Sequence, residues 1–174
     1  MFYIIERREK KMAKIKLVRI DSRLIHGQVI TKWIPITAAK QVIIIDDDLS
    51  QDEFMGDIYA SAAPRGVSCR VISVADAVKS WQQNQFGEGN TMILFQNIEN
   101  CYKAFKEGLP FKNLQLGEIP MKKGRVTVFK AISFNKEEAL KLKEVMDSGV
   151  EIILQPVPEL SKVEFKKTLK KFDL

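Results

Sequence analysis

The 174-residue chain has one histidine and two cysteines. Cys69 and Cys101 lie far apart, so there is no CxxC unit and no zinc-ligand spacing. A chain of this length builds a core without a disulfide, which reads as a reducing, cytoplasmic setting. No apolar run is long: residues 42–45 and 92–95 are the best examples. A helix that crosses a bilayer needs roughly 20 such residues. The opening Met1-Phe2-Tyr3-Ile4-Ile5 gives way at once to charge, unlike a secretory signal. Glycine-rich phosphate loops are missing too, since Gly87-Glu88-Gly89 lacks both their spacing and their context. A nucleotide-binding α/β enzyme is disfavoured on that ground. With 45% hydrophobic and 29% charged residues, the chain is neither disordered nor fibrous.

The formal charge is +6, but it sits at the ends. Residues 1–16 hold six basic and two acidic side chains, and residues 161–174 hold five and two. The stretch between them has 17 basic against 18 acidic residues, so no nucleic-acid face is expected on the body. Residues 1–12 read as a basic extension, either a loose arm or a segment upstream of a start at Met12. Residues 13–174 read as one domain.

Along that domain, strand-like runs alternate with helix-like segments. Strands are expected at 15–20, 42–45, 67–72, 91–95, 114–116, 126–129 and 151–155. An amphipathic stretch begins at Gln28 and is expected to be limited by Pro35. Ser50-Gln51-Asp52-Glu53 has a capping-box pattern, Ser73 and Asn97 (or Asn100) precede further helices, and Asn135 opens another that Gly149 closes. The alternation predicts an α/β fold: a single domain with an open, twisted, mostly parallel sheet and helices on both faces. Ligands of such sheets bind beyond the carboxyl ends of the strands. The loop after the first strand is therefore the place to look.

That loop holds the lone histidine, His26, with Asp21 and Arg23 before it and Gly27 and Gln28 after it. A neutral imidazole is a nucleophile near pH 7. A helix start offers free N–H groups and a positive dipole end to a phosphate. Arg23 suits bidentate contact with a phosphoryl group. Asp21 suits orienting a ring nitrogen or holding Arg23, and Gly27 lets backbone come close. The plainer reading is that His26 caps a helix or fills a polar niche. On the residues alone the two readings stand level.

The string Val18-Arg19-Ile20-Asp21-Ser22-Arg23-Leu24-Ile25-His26-Gly27-Gln28-Val29 closely resembles the active-site segment of IIB components of mannose-family sugar phosphotransferase systems, the mannose/fructose/sorbose group. The likeness continues through Trp33, residues 42–47, Ala62-Ala63-Pro64, Gly66-Val67, Ile72-Ser73-Val74, Ala131-Ile132-Ser133 and 149–158. It implies a mostly parallel IIB domain at the inner face of the membrane that works as a phosphotransferase. His26 would take a phosphoryl group on Nδ1 from a phosphohistidine of IIA and pass it to a sugar held by the membrane components IIC and IID. Asp21, Arg23, Gly27 and Gln28 would line the phosphate loop, with Ser73 a further hydroxyl donor. The resemblance implies no metal and no cofactor; a homodimer stays open. A non-catalytic regulatory or binding module on the same fold is the alternative. The chain departs from the family pattern at Ser22, where a second acid is common, at Arg65 in place of a second proline, and at Glu118, where Gly117 is commonly followed by another glycine.

Other clusters have plain readings. Asp46-Asp47-Asp48 could hold Mg²⁺, but a loop and helix-start cluster is expected. Trp33 and Trp81 read as core anchors rather than sugar platforms. Lys122-Lys123-Gly124-Arg125 reads as a solvated turn, and Phe165, Leu169 and Phe172 as the inward face of a basic terminal helix.

Overall fold

The computed structural model describes residues 12–174, so the expected extension at 1–12 lies outside the described residues but for Met12. Nine strands are interspersed with helices among the described residues, alternating with them as far as Leu116. β1 (Lys14–Ile20), β2 (Gln41–Ile45), β3 (Ser68–Ile72), β4 (Asn90–Phe95), β5 (Asn113–Leu116), β8 (Glu151–Leu154) and β9 (Val163–Glu164) form one sheet in the order β3-β2-β4-β1-β5-β8-β9. Every pairing is parallel except that of β9 with β8. β6 (Val126–Phe129) and β7 (Ile132–Phe134) make a separate antiparallel hairpin.

Parallel strands are covered on both faces, so their side chains split between two cores. Ile43, Ile45, Ile93 and Phe95 join the larger core with Val18 and Ile20. Val42, Ile44, Met92 and Leu94 join the smaller one with Leu24, Val29, Trp33 and Ile34. Residues 42–45 are fully buried, and each contributes about 2 kcal/mol of transfer energy. Helices α3 (Val74–Asn84), α4 (Ile98–Lys106) and α5 (Lys136–Asp147) cover the larger core through residues such as Ala77, Cys101 and Leu142. Their caps follow the expectations: Ser73, Asn97 and Asn135 each accept a backbone N–H in the first turn. Asn135 and Glu138 complete a reciprocal capping box. The basic tail forms a 3₁₀ helix, Phe165–Phe172, with Phe165, Leu169 and Phe172 buried.

Two local expectations are corrected. Helix α2 (Glu53–Ala62) is capped by Asp52, whose Oδ1 accepts from Met55 N at 3.0 Å, and not by Ser50. Residues 49–51 form a short 3₁₀ turn first, and Ser50 donates to the Asp47 carbonyl. Nor does Pro35 stop the helix after His26. Residues 27–37 are continuously helical, widened to a π-helix over Val29–Trp33, where Ile34 N donates to Val29 O. Pro35 lies in the turn that follows, Ile34–Thr37 (α1), where its missing N–H costs little. Ala38, in the left-handed region at φ +48°, ends the run. No helix among the described residues is long and apolar enough to cross a membrane.

Candidate functional site

β1 is flanked by β4 and β5, so the loop leaving its carboxyl end is held from both sides. Asp21 N donates to Phe95 O, Gly117 N to Ile20 O, and Ser22 N to Glu118 O, all within 2.9 Å. A turn follows, closed by Leu24 N donating to Asp21 O. Leu24 has φ +54°, a strained value for leucine. Complete burial of its side chain in the smaller core offsets that strain. His26 then stands at the start of the helix.

The two ring nitrogens of His26 have different neighbours. Nδ1 accepts from the backbone N–H of Gln28 at 3.2 Å. Because that N–H can only donate, Nδ1 must carry its lone pair, and the neutral ring keeps its proton on Nε2. Nε2 faces Asp21 Oδ2 at 3.4 Å. The side chain is 16% exposed, enough for a reagent to reach it. His26 is therefore the helix cap of the plainer reading, and the same geometry leaves Nδ1 as the unprotonated ring nitrogen at a helix N-terminus. Gly27 adds open space: a Cβ there would meet nothing within 4 Å. Gly27 is not in the left-handed region, so its backbone conformation is open to other residues too. The Gln28 amide oxygen is buried with no hydrogen-bond partner among the described residues.

Asp21 serves several cations. Oδ1 accepts from the backbone N and the Nε of Arg23, at 3.2 and 3.3 Å. Oδ2 accepts from Nη2 and Nε of Arg19, at 2.8 and 3.2 Å. Burial pushes the Asp21 carboxyl up, but the hydrogen bond from His26 and the charge of Arg19 outweigh burial and hold it well below the usual carboxylate range. Arg23 is 39% exposed, and its Nε also lies 3.1 Å from Glu118 Oε2. Hydrogen bonds from Nη1 and Nη2 of Arg23 to other protein atoms are absent among the described residues.

Arg19 was not among the residues read from the sequence as functional. Its side chain is fully buried. Nη1 bonds to Gln115 Oε1 and, at 2.9 Å, to Gln155 O, while Nη2 reaches Pro156 O at 2.7 Å. Its guanidinium lies 5.0 Å over the Trp33 ring. Desolvation lowers its pKa, and Asp21 opposes the shift. Gly117 makes room for it, since a Cβ there would sit 2.4 Å from Arg19 Cζ. The available signal was periodicity: Arg19 interrupts an apolar strand on the face that Asp21 shares two residues later.

Ser73 stands apart. It follows β3, three strands from β1 and so about 14 Å along the sheet at normal strand spacing. Its hydroxyl is engaged with Asp76. The aspartates at 46–48 are largely spent on loop structure: Asp46 accepts from the backbone of Asp48 and Leu49 and from Asn100, and Asp47 from Val74 N and Lys103. Arg125 pairs with Glu138 and pins the loop that enters the hairpin to α5. Trp33 is buried beneath Arg19, and Trp81 packs edge-on against Phe86.

This arrangement suits transient capture of a phosphoryl group: a lone pair at a helix start, a carboxylate behind the ring and an arginine with free terminal nitrogens. Comparison with known proteins points the same way. The family model "PTS system sorbose subfamily IIB component" matches residues 15–174. The chain is 30% identical over 159 residues to the fructose-specific EIIB component of Bacillus subtilis, covering 91% of this chain and 98% of that protein. It is 26% identical over 159 residues to the mannose-specific EIIAB component of Escherichia coli K12, covering 91% of this chain and 49% of the other. The crystal structure of manxB from Thermoanaerobacter tengcongensis superposes with a TM-score of 0.85 at 36% identity, covering 93% of this chain and 98% of that one.

Proposed function

The chain belongs to the sorbose subfamily of phosphotransferase-system IIB components, and from that premise we propose that it is a phosphocarrier with His26 as its acceptor. Nδ1 attacks the phosphorus of a phosphohistidine on IIA. As the P–Nδ1 bond forms, the P–N bond on IIA breaks and its electron pair returns to the IIA imidazole. The group is then handed to a sugar held by IIC and IID, with the carrier docked on them at the cytoplasmic face. No cofactor or metal takes part in this scheme.

The observation that carries this reading is the acceptor state of Nδ1, with Nε2 turned to Asp21. A phosphoryl group on Nδ1 replaces the Gln28 N–H bond with one to its own oxygens, and the helix dipole favours its charge. With Nε2–H retained, the ring gains positive character that the Asp21 carboxylate stabilises. Arg23, held at Nε, presents its terminal nitrogens to the phosphoryl oxygens. The work is positioning and charge stabilisation, as is usual for this chemistry.

The test is phosphorylation by labelled phospho-IIA. Wild-type chain should take up an acid-labile, base-stable phosphate, and His26→Gln should take up none while keeping its fold by circular dichroism. Full labelling of the folded H26Q protein would overturn the assignment.

A further inference from the structure

The charges around the proposed acceptor are balanced before any phosphate arrives. Arg19 and Arg23 bring two positive charges, and Asp21 and Glu118 bring two negative ones. Arg19 and Asp21 are fully buried and neutralise one another within the fold. That leaves Arg23 as the cation facing solvent, and it is shared: its Nε donates to Asp21 Oδ1 at 3.3 Å and lies 3.1 Å from Glu118 Oε2. Glu118 cannot drift away, because its carbonyl is bonded to Ser22 N at 2.8 Å and the preceding residue is bonded to Ile20 O at 2.7 Å. Its carboxylate is only 30% exposed. Two free rotors meeting at the surface would count for little; here the backbones of both partners are stitched together.

We propose that Glu118 is a counter-charge that keeps the site's hold on the phosphoryl group weak, so that the group leaves readily for the next acceptor. This rests on His26 being the phosphoryl acceptor. A phosphoryl group brings about two negative charges. Glu118 opposes it twice, by direct repulsion and by cancelling the charge of the arginine that would bind it. The reaction is the balanced exchange already given, IIA-phosphohistidine and His26 going to IIA-histidine and phospho-His26. Glu118 moves its equilibrium toward IIA without entering a bond. For a carrier that must discharge, a poor hold on its cargo is an advantage.

Glu118→Gln isolates the effect, because the side chain keeps its size and polarity while the charge is gone. The complete chain is mixed with ³²P-labelled phospho-IIA, using the IIA part of the Escherichia coli mannose-specific EIIAB component as donor, and the label is followed to equilibrium. The ratio of phospho-carrier to phospho-IIA should rise about threefold in E118Q, the size expected for a partly exposed charge. E118D, which keeps the charge, should stay within about twofold of wild type. The difference between E118Q and wild type should shrink in 1 M salt, where the Debye length is about 3 Å. E118A reads the same ratio with the whole carboxylate side chain removed and should also raise it. An unchanged or lowered ratio in both E118Q and E118A, with His26-dependent labelling intact, overturns the role of Glu118 alone. Absence of label on wild-type His26 overturns the carrier reading and this proposal together.

Discussion

Replacing Asp21 by asparagine should destabilise the whole domain, not only silence its chemistry. Asp21 and Arg19 are both fully buried, joined by bonds of 2.8 and 3.2 Å. The remaining partners of the guanidinium are neutral oxygens of Gln115, Gln155 and Pro156. Asparagine keeps the volume but strands the arginine's charge in the sheet interior. Removing one member of such a buried pair typically costs about 3–5 kcal/mol. Against a total stability of about 5–15 kcal/mol, that is a large share. Urea unfolding followed by circular dichroism should show the midpoint falling by at least about 1 M, given slopes of about 1–3 kcal/mol per molar. The companion variant R19M/D21N removes both charges and should be more stable than D21N alone. A loss below about 1 kcal/mol in D21N, or a double variant no better than the single one, would refute the argument.

Two more outcomes follow from the same network. Gly117→Ala puts a Cβ 2.4 Å from a guanidinium that five hydrogen bonds hold in place, and should cost about 1–3 kcal/mol. Differential scanning calorimetry should then show Tm lower by several degrees, and a change within 1 °C would show that Arg19 yields freely. Acid should act through Asp21, whose folded pKa is depressed. Its contribution is complete above the unfolded value of about 3.9 and is lost as pH falls toward the folded one, by about 1.4 kcal/mol per unit. The stability gap between wild type and D21N should therefore narrow between pH 4 and pH 2, and a constant gap would count against the depressed pKa.

The features legible in the sequence were those set by near neighbours. Asn135 with Glu138 three residues later announces its own helix, and the β-branched run at 42–45 announces a strand with no exposed face. Where two local signals competed, reading failed. Ser50 and Asp52 both cap well, and the three-residue turn at Leu49–Gln51 decided for Asp52. Pro35 breaks an α-helical register, but it falls in the first turn after a π-widened segment, where its lack of an N–H is tolerated. β7 and β9 have three and two residues, too few for any periodicity. Within the site, His26, Asp21 and Arg23 lie in one loop and could be grouped by eye. Arg19 could be noticed as an anomaly, but its partners Gln115 and Pro156 lie 96 and 137 positions away, and only the folded sheet brings them to it.

That last separation bears on the order in which a growing chain becomes competent. The arginine behind the phosphate loop is made early, and the carbonyls that receive it come from the end of β8 and the proline beyond. Until those residues have left the ribosome and docked, the Arg19 guanidinium has Asp21 beside it but lacks the neutral oxygens of Gln155 and Pro156. A nascent fragment therefore carries the Arg19–Asp21 pair before the oxygens that complete its burial exist, and the finished network is a late event of synthesis.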